Sequence, residues 1–283
     1  KNTGQNQGTA GIDINYLPAR EITQGSSDII VAVLDHGTQL DHPDLNVSSK
    51  SYDTETGRSP SQIWGNHGTA CSGIISAKTN NNLGVAGIAP NCPVMSISNQ
   101  LMGTADAPQK RADGFNWAWR NGASVISNSW RSSTFSELLE DAIQSAMTNG
   151  RNGLGCVVTF SAGNYNSSTV GYPARSLPDI VVVGALSLSG KRKTPTTIDN
   201  ENWWGSDYGT QLDIMAPGVL IYTTDRTGSV GYVSGDYMPN FNGTSSACPH
   251  VAGVAALILS LNPNLTQKEV ATIIEKTARS IVD

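Results

Sequence analysis

The stretch Ile29-Ile30-Val31-Ala32-Val33-Leu34, closed by Asp35-His36-Gly37, decides how the rest of the chain is read. Its apolar residues are continuous rather than alternating, the pattern of a strand buried on both faces in a parallel sheet. Similar short runs recur at Pro93 to Ile97, Ser124 to Ser127, Cys156 to Phe160 and Ile180 to Val183. Helical patterns lie between them. The clearest runs from Phe135 to Met147, where Phe135, Leu138, Leu139, Ala142, Ile143, Ala146 and Met147 fall at helical spacing and Gly150 supplies a stop. Strand-helix alternation of this kind predicts an α/β fold, a three-layer sandwich with a mostly parallel central sheet.

Outward from that core, Thr266-Gln267-Lys268-Glu269 has the form of a capping box and starts a last helix running to Ala278. From about Lys191 to Gly243 the chain is richer in Gly, Thr, Asp and Tyr, with Pro195, Pro217 and Pro239, and reads as irregular strands and loops covering one end of the sheet. No internal repeat stands out. At 283 residues and 38% hydrophobic content, one domain over 1–283 is expected.

Charged residues make up 14% of the chain, the net charge is −5, and the longest run of like charge is Lys191-Arg192-Lys193, a balance that argues against nucleic acid as a partner. No apolar run is expected to reach the roughly 18 residues of a membrane span, and Lys1 opens without a leader, so an already processed or a trimmed chain without a membrane partner is expected. Cys71, Cys92, Cys156 and Cys248 lie far apart without CxxC spacing, which speaks for free thiols and against a zinc site.

In an open parallel sheet, functional groups gather beyond the carboxyl ends of the strands. Asp35 closes its strand there, although a turn-forming Asp would look the same. His67, in Gly65-Asn66-His67-Gly68-Thr69, stands at the entrance of an apolar helix, where a capping role is the ordinary alternative. Ser245 opens a helix that is apolar nearly all round, a place where a serine can be a mere cap.

Taken together, Val33-Leu34-Asp35-His36-Gly37, Asn66-His67-Gly68-Thr69 and Gly243-Thr244-Ser245-Ser246-Ala247-Cys248-Pro249-His250-Val251-Ala252-Gly253 closely resemble the subtilase (subtilisin-like) serine peptidases. The order Asp, His, Ser along the chain is also theirs. The resemblance runs from about Asp13 to the last helix, through Asp41-His42-Pro43-Asp44-Leu45, Gly84 to Pro90, Ser161-Ala162-Gly163-Asn164 and Met215-Ala216-Pro217-Gly218. It implies a serine endopeptidase that forms an acyl-enzyme on Ser245, with His67 as general base, Asp35 as the acid that orients and stabilises it, and Asn164 with the Ser245 N–H as oxyanion donors. An inactive binding domain and an acyl transferase using the same triad are the rival readings.

By the same resemblance, Asn128, Ser129, Trp130 and Arg131 form a substrate-clamping segment and Leu101 to Thr104 the opposite strand. Trp130 and Arg131 depart from the small aliphatic residue and Gly usual there. Gly171, in Ser168 to Pro173, floors the specificity pocket, and without an acidic residue that pocket is expected to prefer bulky apolar side chains before the cut. Of the other histidines, His42 and His250 read as structural, and His36 as a solvent-facing turn residue able to influence the triad.

Further implications of the resemblance are a structural Ca²⁺ held by the Asp44 and Asn81 side chains and the Thr79, Leu83 and Val85 carbonyls, with Gln5 or Asp13 as N-terminal ligand. Protein or peptide substrates, secretion, a monomeric state and an inhibitory prosegment belong to the same set of expectations. Ser246 replaces the oxidisable Met that many subtilisins carry, which implies tolerance to peroxide.

Overall fold

The computed structural model describes residues 2–281; the ends of the expected 1–283 domain, Lys1, Val282 and Asp283, lie outside the described residues. Strands β1 (Ile30–Asp35), β2 (Tyr52–Asp53), β3 (Val94–Ser98), β4 (Ala123–Asn128), β5 (Val157–Ser161), β6 (Val181–Leu186) and β7 (Ile214–Pro217) form one seven-stranded sheet in the order β2-β3-β1-β4-β5-β6-β7. Every pairing in it is parallel.

Helix α1 (Tyr16–Ile22) precedes the sheet, and alternate residues of each strand serve opposite layers. Val31, Val33, Val94, Val125, Val157, Val181 and Val183 pack with α2 (His67–Ser76), α5 (Thr244–Leu261) and α6 (Gln267–Thr277). Ala32, Leu34, Met95, Ile97, Ile126, Val158, Phe160 and Val182 pack with α3 (Ala107–Arg120) and α4 (Glu137–Asn149). Two apolar layers, one on each face, account for the continuous apolar runs, and the three-layer α/β expectation is met.

The runs read as strands all appear, shifted by a residue or so. The Phe135-to-Met147 helix begins two residues later, at Glu137, because the Ser136 hydroxyl caps it by accepting the Leu139 N–H at 3.3 Å. Phe135 and Leu138 are exposed and stay off the core. Within Lys191 to Gly243 the structure is more regular than expected: β7 joins the main sheet as an edge strand, and β8 (Ile221–Thr224) pairs antiparallel with β9 (Tyr237–Phe241). All four cysteines are free and buried.

Helix α5 is 18 residues long with a mean hydropathy of 1.4, enough by length and composition to cross a membrane, so the reading that no run reaches that size needs correction. Two thirds of it is buried against the sheet and α2, which makes it a core helix here.

At α6 the capping box is complete, with Glu269 N–H to Thr266 Oγ1 at 3.3 Å and Thr266 N–H to Glu269 Oε2 at 2.8 Å. Thr266→Ala removes one half of it, and thermal unfolding is expected to show a loss of about 1 kcal/mol.

Candidate active site

Strand β1 ends on Asp35, whose carboxylate is fully buried. His67 is the first residue of α2, and its Nδ1 lies 2.9 Å from both Asp35 oxygens. Asp35 Oδ1 also accepts the His36 N–H at 2.7 Å, so the carboxylate is anchored by backbone as well as ring. Phe241, at the end of β9, meets the imidazole edge to face at 5.3 Å. With Nδ1–H donated to Asp35, Nε2 is left as the nitrogen with the free lone pair.

Burial alone would depress the His67 pKa, but the Asp35 charge and its hydrogen bond to the ring hold it well above the ordinary histidine value. Cys71 Sγ sits behind the pair, 3.7 Å from His67 Nδ1. Burial pushes that thiol up, so it stays protonated at neutral pH.

Ser245 is set at the first turn of α5 by Gly243, which stands at φ 100°, a conformation that favours glycine. The first-turn donors are divided among partners. Thr244 N–H goes to Asn164 Oδ1 at 2.8 Å, and the Ser246 and Ala247 N–H groups go to the Gly243 carbonyl. Among the described residues the Ser245 N–H has no partner.

Pro249 lies inside α5 and has no N–H to return to the carbonyl of Ser245. That freed carbonyl accepts the Ser129 hydroxyl at 3.0 Å and faces Cys71 Sγ at 3.6 Å. In return the Ser245 hydroxyl donates to the Ser129 carbonyl at 3.3 Å. The Cys71 thiol, 3.7 Å from His67 Nδ1 and 3.6 Å from the Ser245 carbonyl, places the serine beside the imidazole.

Asn164 follows β5 and is held by Thr244, whose N–H and Oγ1–H both donate to Asn164 Oδ1, at 2.8 and 2.9 Å. With its oxygen engaged twice, the amide presents Nδ2, which has no partner among the described residues. A Cβ placed on Gly243 would lie 3.2 Å from Asn164 Nδ2 and 3.5 Å from the Ser245 nitrogen, so both unclaimed donors border one space. Such a pair suits an oxyanion.

An acid, an imidazole and a serine in this order, on the ends of β1, α2 and α5 of a parallel sheet, are matched by comparison with known proteins. Residues 26–283 match the model of the subtilase family. The chain belongs to that family. The calcium-dependent protease of Trichormus variabilis is 35% identical over 96% of this chain and 45% of its own length. Subtilisin E of Bacillus subtilis is 36% identical over 89% of this chain and 61% of its own. The chain thus spans about half the length of the former. A solved structure of proteases from Pseudoalteromonas arctica superposes with a TM-score of 0.78 at 28% identity, covering 94% of this chain and 87% of that one.

In this subtilase the proposed clamping residues divide. Asn128 is buried, its Nδ2 spent on the Ile126 and Thr159 carbonyls at 3.2 and 3.1 Å. Trp130 turns its indole into the core, edge to face with Phe160 at 5.0 Å and under the Arg111 guanidinium at 4.9 Å. Arg131 is exposed beside Gly171, and Ser132 N–H joins the Tyr172 carbonyl at 2.8 Å. Leu101 to Thr104 carries no sheet pairing. His36 is half-buried rather than solvent-facing, with Nε2 3.2 Å from the Gln100 carbonyl and its ring 6.2 Å from that of His67. His42 is buried, as a structural residue should be.

On the far side of α2, the fully buried Asp44 accepts Asn81 Nδ2 at 2.6 Å and the Val85 N–H at 3.2 Å. Asn81 Oδ1 takes the Leu83 N–H at 3.1 Å. Tyr237 reaches the same carboxylate, and burial together with that charge pushes its hydroxyl up to about 12. Asp13 is engaged by the Asn2 and Asn15 N–H groups at 3.0 and 2.9 Å, and Gln5 by the Thr3 N–H at 2.7 Å.

Sequence reasoning missed Thr244, Cys71 and Phe241. The Thr before the serine is open to inspection as a second hydroxyl, but nothing local tells that it serves Asn164. His67 acts as a base only when neutral, so activity is expected to fall as pH drops through its raised pKa. A kcat/KM–pH profile should therefore place the acid limb above the ordinary histidine value of 6.5.

Proposed function

We propose that this chain is a serine endopeptidase that cleaves protein or peptide substrates through an acyl-enzyme on Ser245, with residues 1–283 acting as one peptidase unit. The observation that carries the reading is an imidazole pinned on a buried carboxylate, next to a serine whose own N–H and the Asn164 amide stand unclaimed. His67 Nε2 takes the Ser245 proton as Oγ attacks the carbonyl carbon, and Asp35 stabilises the imidazolium without taking the proton. The developing oxyanion falls between Asn164 Nδ2 and the Ser245 N–H. His67 then gives its proton to the leaving amine, and water repeats the sequence on the ester.

For specificity we propose a broad site that favours a bulky apolar residue before the cut. Supporting this, Gly171 brings no side chain to the floor, and Ala162, Val170 and Tyr172 around it are buried. With p-nitroanilide peptides, burst release strongest for Phe or Leu and abolished by Ser245→Ala is the expected result; equal activity of parent and variant, or none in either, overturns the reading.

We also propose a structural Ca²⁺ at Asp44, in keeping with the calcium-dependent protease among the relatives. The residues fit it. Asp44 lies beside Asn81, whose amide gives Nδ2 to the carboxylate here and would turn its oxygen inward to a cation, and the Thr79, Leu83 and Val85 carbonyls accept no hydrogen bond among the described residues. An all-oxygen set of carboxylate, amide and carbonyls suits a hard cation, which when bound would tie the loop to the segment before α2. A chelator is expected to lower Tm by roughly 5–10 °C, from about 2.7 kcal/mol of linkage at a hundredfold excess of ion over Kd. Asp44→Ala should make Tm insensitive to chelator.

A further inference from the structure

On the endopeptidase reading, the side chain before the cut is assigned to the gap between segments 129–132 and 162–172. Two backbone bonds set that gap, Ser132 N–H to the Tyr172 carbonyl at 2.8 Å and Gly171 N–H to the Ala162 carbonyl at 2.9 Å. Arg131 stands in it. Its Cβ and Cδ lie 3.3 and 3.7 Å from where a Cβ on Gly171 would be, so the aliphatic stem runs along the pocket. The guanidinium ends over the ring of Tyr165, 4.2 Å from its centroid, and Tyr165 directly follows Asn164.

Stacking on the ring fixes the plane of the guanidinium but uses none of its five N–H donors. Among the described residues Arg131 makes no hydrogen bond or ion pair. The carboxylate that feels its charge is Asp207, buried behind the pocket, whose Oδ1 is taken by the Tyr165 and Ser167 N–H groups, each at 2.8 Å. Arg192 is a second cation acting on Asp207, with its Nη1 on Asn166 Oδ1 at 2.8 Å and the Ser206 carbonyl at 2.9 Å.

We propose that Arg131 is a specificity-determining residue that extends the pocket to glutamate before the cut, holding the carboxylate in the guanidinium fork while the methylenes lie along the apolar wall. This rests on the endopeptidase reading above. It adds an acidic substrate class to the apolar one and disfavours Lys and Arg at the same position. A planar fork offers a carboxylate paired donors, and a site built to hydrogen-bond a group discriminates against analogues lacking it.

The test is kcat/KM for matched p-nitroanilide peptides with Glu, Gln or Phe before the cut, on the parent, Arg131→Gln and Arg131→Lys. Glu and Gln are nearly isosteric, so their ratio isolates the charge. The parent is expected to favour Glu over Gln by about tenfold or more, as for a hydrogen bond to a charged group. The preference should shrink as salt is raised. In Arg131→Gln the ratio should fall to about one, and Arg131→Lys should keep part of it, since an ammonium retains the charge without the fork. A parent that cleaves Phe but favours Gln over Glu overturns this inference and leaves the endopeptidase reading standing. A Glu preference that survives in Arg131→Gln also overturns it, and no cleavage of any of the peptides overturns both.

Discussion

Everything in this chain hangs on the two-sided burial of its central strands. In β1, Val31 and Val33 belong to the layer of α2 and α5, while Ala32 and Leu34 belong to the layer of α3 and α4. A slip of one residue would exchange the two sets, and neither layer has room for the other's side chains. Register is therefore fixed from both faces, and Asp35 is delivered to the carboxyl edge by packing that has nothing to do with its charge. Asn164 reaches the same edge from β5. The polar site is thus placed by apolar constraint, and only its last ångström is set by hydrogen bonds.

Those hydrogen bonds form a chain of dependence rather than a set of separate contacts. Asn164 presents its amide because Thr244 takes its oxygen twice; Thr244 can do so because Gly243 turns the backbone; and Ser245 N–H stays open because its neighbours have other partners. Asp35 likewise holds His67 while being held by the His36 N–H. Each reactive group has its unused atom defined by the partner of its used one.

Much of this is legible in the residues. Strands buried on both faces show as unbroken apolar runs, and each member of the triad sits in a compact motif of glycine and small polar residues. What escapes reading lies where burial is partial or partners are remote. Strand β7 is an edge strand, half-buried at most positions, and its Ile214-Met215-Ala216-Pro217 has no periodicity to betray it. Phe135 and Leu138 fit a helical period and yet face outward, because period alone does not say which stripe meets the core. Trp130 reads as a substrate-side residue from its neighbours in sequence, whereas its indole packs inward against Phe160. The help that Ser129 gives to the start of α5 joins residues too far apart for any local pattern to reveal.

That last contact ties positions 129 and 249 to one carbonyl. Pro249 leaves the Ser245 carbonyl without its helix donor, and the Ser129 hydroxyl and the Cys71 thiol supply others, so losing the hydroxyl would leave that carbonyl on the weaker sulfur donor alone. The nucleophile, sitting on that carbonyl's own residue, is thus steadied through its backbone by groups outside the triad.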